Sequence, residues 1–124
     1  MLTKILKALN DSLAPLATGG WTLHVNPGID TPLPYMVIGY ISRGSGGGSK
    51  LAKGGYFIID VNLWSDPNSE KVLTDKMDAV ISTLFNITGT NLCFSSVTVE
   101  STPIMVEDDA FHGVVRMGMK IKEV

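Results

Sequence analysis

The chain has 124 residues, of which 44% are hydrophobic and 18% charged, with a formal net charge of −2 and a single cysteine. This composition is globular rather than disordered, and the length suits one domain, residues 1–124, with a core of its own. The small charge excludes the electrostatic footprint of general nucleic-acid binding, a lone Cys93 excludes an internal disulfide and fits a reducing compartment, and no apolar run approaches a membrane span or a secretory leader.

In chain order, Leu2, Ile5, Leu6, Leu9 and Leu13 recur at helical spacing, with Lys4, Lys7 and Asn10 between them. This predicts an amphipathic first helix that closes near Pro15 and the Gly19-Gly20 pair. "WTLHVNPG" reads as a short strand or an extended arm, and Pro32 and Pro34 predict an extended entry into the next segment. "YMVIGYIS" is a near-continuous apolar run with β-branched and aromatic residues, the pattern of a buried strand. "YFIIDVNLWS" alternates, with Phe57, Ile59, Val61 and Leu63 on one face and Tyr56, Ile58, Asp60, Asn62 and Trp64 on the other. Asp66-Pro67 then predicts a helix with Asp66 as N-cap and proline at the first helical position. Leu73, Met77, Val80 and Leu84 form its core stripe, while Glu70, Lys71, Thr74, Asp75 and Asp78 form its solvated face. A further strand is expected over roughly Ser95 to Thr102. The last, Phe111 to Glu123, sets Phe111, Val115, Met117, Met119 and Ile121 against Arg116, Lys120 and Lys122. The expected fold is α+β: a mainly antiparallel sheet of four to five strands with two helices packed on one side.

"SRGSGGGSKLAKGG", residues 42–55, separates two of these strands. It lacks the Gly-Lys-Ser/Thr order of a phosphate loop and the glycine spacing of a dinucleotide fold. It is longer than a hairpin turn requires, and Gly and Ser predict a flexible coil. Arg43, Lys50 and Lys53 make it a basic arm able to reach an acidic neighbouring subunit or DNA. A solvated loop without a role and an engineered Gly-Ser insertion are the alternatives.

No catalytic, cofactor or metal motif stands out. His24 and His112 lack metal-ligand spacing and read as surface residues of strands or loops, and Cys93, between Leu92 and Phe94, reads as a buried structural thiol. Glu107-Asp108-Asp109 lacks the alternating ligands of a calcium loop and reads as a solvated turn between the last two strands. Asn86-Ile87-Thr88 matches a glycosylation sequon by chance. Tyr56, Ile58 and Trp64 form a candidate apolar patch, suited to a subunit interface unless the first helix covers it.

The leucine-rich first helix, "NPGIDTPLPYMVIGY", the strand "YFIIDVNLWSD" leading into "SEKVL" and "MDAV", and the closing "FHGVVRMGMKI" together resemble the tail completion or tail terminator proteins of long-tailed bacteriophages and related prophages. The resemblance covers almost the whole chain. It implies a structural, non-enzymatic virion protein, assembled in a bacterial cytoplasm as a ring of itself, usually hexameric, on the end of the tail. Such a ring stops tube growth and joins the tail to the head. The implied partners are the tail tube protein and a head–tail connector protein, with DNA only in transit and no membrane or cofactor. A stopper-like connector part is the alternative role, and a small α+β ligand-binding domain or enzyme the alternative class.

Overall fold

The computed structural model describes residues 2–25, 31–43, 54–67, 70–107 and 109–124. Helix α1 (Leu2–Leu13) buries Ile5, Leu9 and Leu13 of the predicted stripe together with Ala8, while Leu6 is half-buried and Leu2, at the start of the helix, is exposed. A 3-10 turn (Ala14–Leu16) containing Pro15 ends it, and Gly19 and Gly20, at φ of 62° and 90°, then reverse the chain as few other residues can. Buried Trp21 follows and leads into the three-residue strand β1 (Thr22–His24).

Strand β2 (Tyr35–Arg43) lies parallel to β1, with Thr22 opposite Tyr35. Its entry departs from expectation, since residues 33 and 34 form a bend with a cis Leu33–Pro34 peptide. Strand β3 (Gly54–Ser65) runs antiparallel to β2 and has the alternating burial that its sequence predicts. Helix α2 (Glu70–Phe85) buries Leu73, Met77, Val80 and Leu84. Pro67 lies in a turn, the helix is described from Glu70, and the expected cap by Asp66 falls on a start that lies outside the described residues.

Strands β4 (Leu92–Ser101) and β5 (Ile104–Glu107) lie in succession along one side of β6 (Ala110–Glu123), and β3 occupies the other side. The sheet has six strands among the described residues, more than the four to five expected. The surplus is β5, whose four residues carry no alternation to read, while β1 is the short strand offered for "WTLHVNPG". Glu107 pairs with Ala110 across a two-residue turn, and Asp109 takes a positive φ of 62° there. The acidic run is therefore a hairpin turn.

Both helices pack on one face of the sheet. Ile5, Leu9 and Leu13 from α1 and the α2 stripe meet Met36 and Ile38 of β2, the inward residues of β3, and Val115, Met117, Met119 and Ile121 of β6 in one buried cluster. Gly113 lets α2 approach closely, because a Cβ there would press on Met77 and Leu73. Lys4 ties α1 to the end of β6 through Glu123 at 2.5 Å, and Lys76 joins α2 to the 3-10 turn by donating to the Leu16 carbonyl at 2.9 Å. Cys93 is exposed, contrary to the buried reading. Leu92 and Phe94 take the inward positions of β4, and strand alternation turns the cysteine between them outward, opposite Lys122.

Candidate functional site

With both helices on one side, the reverse face of the sheet carries the side chains that alternation turns away from the core. At one end of this face a row of rings crosses four strands. His24 meets Tyr35 edge-on with centroids 6.1 Å apart, Tyr35 stacks near Trp64 at 6.3 Å, and Trp64 stacks on His112 at 3.8 Å with planes 8° apart. The strand register produces this row by setting Tyr35 opposite Trp64, and Trp64 opposite His112.

His112 is held on three sides. Its Nε2 lies 2.8 Å from Asn62 Oδ1, an oxygen that only accepts, which places the ring proton on Nε2. Its Nδ1 is buried without a hydrogen-bond partner, 3.4 Å from the Glu107 carboxylate. His112 is thus a strand residue, as expected, but a mostly buried one embedded in the face rather than at its surface. His24 matches its reading better, at the sheet edge within 2.8 Å of the Thr22 hydroxyl.

In the middle of the face, Arg116 donates to Asp60 through Nε at 2.8 Å and its terminal nitrogen at 2.9 Å, a two-pronged pair that raises the arginine pKa, chiefly through the hydrogen bonding. Beyond it, the Tyr56 hydroxyl donates to Glu100 of β4 across Gly118, where any Cβ would collide with both groups. That hydrogen bond, and burial second, push the Tyr56 hydroxyl above its ordinary value. Lys120 and Lys122 stand exposed at the far end.

Of the residues singled out as a subunit interface, Tyr56, Ile58 and Trp64 all lie on this face, half-buried, and α1 covers none of them because it packs on the other side. Of the basic arm, Arg43 belongs to its foot: the guanidinium donates to the Gly54 carbonyl and lies 5.9 Å from the centre of the Phe57 ring. Lys50 and Lys53 fall outside the described residues. Sequence reading missed the partners of Trp64, because only the register across three strands brings Tyr35 and His112 beside it.

An open groove of about 760 Å³ runs between α1 and the segment after α2, lined by Lys4, Lys7, Asp11, Ser12, Thr88 and Asn91. Lys4 is paired with Glu123 and Lys7 with Asp11, so its charges do not converge on the groove. Among the described residues no group of three His, Cys, Asp or Glu side chains could hold a metal ion, and no helix is long and apolar enough to cross a membrane.

No family model matches the sequence, and no curated protein matches it. Among solved structures, the fold is similar to that of a chain in the virion of a native gene transfer agent (GTA) particle. The TM-score is 0.75 at 14% identity, over 98% of this chain and 96% of that one. This likeness is one of fold.

Proposed function

We propose that this chain is a structural protein of a bacteriophage-type virion, and within it the tail terminator subunit. It forms a ring, hexameric by the resemblance, on the finished end of the tail tube, where it stops polymerisation and presents the surface that joins the head. One observation carries the reading: the chain shares its fold, over nearly the full length of both, with a chain built into a virion particle. The order of its sequence segments, similar to tail terminators, points to the same class independently.

The open face supports a role in assembly. It sets aromatic rings, a fixed ion pair and two exposed lysines on one face of the sheet, a composition suited to a protein neighbour. The subunit's partners in this reading are copies of itself, the tail tube protein and a head–tail connector protein, with DNA passing through the lumen. Arg43, Lys50 and Lys53 supply the basic arm toward one of them. The virion tail is its destination, reached by assembly in the bacterial cytoplasm, and no catalysis or cofactor is required.

Light scattering across a concentration series, with negative-stain imaging alone and on purified tail tubes, tests this. The expected result is closed rings in solution, or rings that appear only on tube ends, and tubes that no longer elongate when capped. A chain that stays monomeric at high concentration and leaves tube growth unaffected refutes the role. Rings that bind the head connector but not tubes would assign it to the stopper position instead.

A further inference from the structure

We infer that neighbouring copies join edge to edge, strand β5 of one copy adding antiparallel to strand β1 of the next, so that the sheet continues around the ring. This rests on the ring-forming reading and specifies the joint within it.

The two edges lie at opposite ends of one rung. Thr22 is opposite Tyr35, Tyr35 opposite Trp64, Trp64 opposite His112, and His112 opposite Met105. Among the described residues no strand pairs beyond β1 or beyond β5. The directions are complementary. β1 runs with β2, β3 against it, β6 with it and β5 against it. When copies are related by rotation about an axis along the strands, β5 therefore meets the next β1 antiparallel, the more stable arrangement per residue.

The β5 edge also has its backbone groups free to bond. The Val114 N–H donates to the Pro103 carbonyl at 3.0 Å, and hydrogen-bonded pairs alternate from there to Met105–His112 and Glu107–Ala110. Ile104 and Val106 are the intervening residues, so their N–H and C=O groups turn outward. Proteins blunt such edges with short strands, lysine, inward charge or proline, and of these β5 itself has only shortness, at four residues. Here the strand is Ile-Met-Val-Glu, with Ile104 38%, Met105 36% and Val106 68% exposed. At the other edge, exposed Val25 (51%) follows β1 directly. A copy that offers different edges at its two ends makes a heterologous contact, the kind that closes into a ring.

The test is Val106→Pro. Proline removes one outward N–H and leaves the β5–β6 ladder whole, so the subunit should fold, with an unchanged circular dichroism spectrum. Leaving the facing carbonyl unpaired at every joint should weaken subunit association about tenfold or more. In a Cys93→Ser background, Val106→Cys combined with Thr22→Cys should give a ladder of covalent multimers with a short bis-maleimide, up to the full ring. Rings that form equally well with Val106→Pro, or that give no such ladder, overturn the edge joint while the ring reading stands. A wild-type chain that forms no ring even on tubes removes both. If Val106→Pro fails to fold, the crosslinking pair decides alone.

Discussion

Trp64 is held between Tyr35 and His112, and its contribution follows from those two contacts rather than from burial alone, since it is only half-buried. Each aromatic contact contributes about 0.5–1.5 kcal/mol beyond area, so Trp64→Ala should destabilise the subunit by about 2 kcal/mol in denaturant melts. Trp64→Phe should recover part of this, and an alanine variant as stable as the parent would show that the row is incidental. Tyr56 gives a pH-dependent counterpart. Its hydroxyl donates to Glu100, which favours the protonated form and raises the folded-state pKa above the usual value of 10.0. The stability it supplies is therefore fully present below that usual value and is lost as pH rises through the higher folded one. Ultraviolet titration should show one tyrosine ionising late in the native protein. Tyr56→Phe should abolish that step, and Glu100→Gln should move it to lower pH.

At the scale of elements, the β2–β3 hairpin is the unusual one. Its strands pair, with a one-residue register shift between Ile38 and Tyr40, as far as Arg43 opposite Phe57, and the Arg43 guanidinium reaches across to the Gly54 carbonyl. The chain between these anchors, residues 44–53, lies outside the described residues, and its composition predicts a coil. Replacing it with a three-residue turn should raise subunit stability by about 1 kcal/mol through reduced closure entropy, provided that the register holds. The same deletion should impair joining to the tube or head, scored as the yield of complete particles. Lys50→Ser with Lys53→Ser should leave the melting temperature nearly unchanged and make joining weaker and less salt-dependent. Arg43→Ser should cost stability as well, because this arginine braces the hairpin's foot. A shortened chain that unfolds would identify residues 44–53 as packed structure.

For the whole molecule, one feature organises the rest: both helices cover the same face of the sheet, leaving the other face and two strand edges for neighbours. Such a subunit builds its stability on the α1–α2–sheet core, and among the described residues no group of three His, Cys, Asp or Glu could hold a metal ion. Chelation by EDTA should leave the melting temperature unchanged in differential scanning calorimetry. A fall on chelation, reversed by one added divalent metal, would mean that the protein holds an ion.

The sequence by itself determined those elements whose residues carry a period. The α1 and α2 stripes, the alternation of β3 and the apolar face of β6 are local patterns, set by the geometry of one helix turn or one pleat, and each buries most of the residues its period selects, Leu2 being the exposed exception. The division of β3 into an inward row and an outward Tyr56, Ile58 and Trp64 was legible for the same reason. The separate β5 was not, because four residues hold too few positions for a period, and β1 could be read only as a short strand or an extended arm. Cys93 went outward because its two apolar neighbours took the inward sites, a choice that an isolated Leu-Cys-Phe leaves open. Only tertiary structure decided the candidate site. Tyr35, Trp64 and His112 are distant along the chain, and nothing local to any of them specifies the register that stacks their rings. That register is imposed by strand pairing over a shared core, as is the placing of β1 and β5 at opposite edges of a single rung.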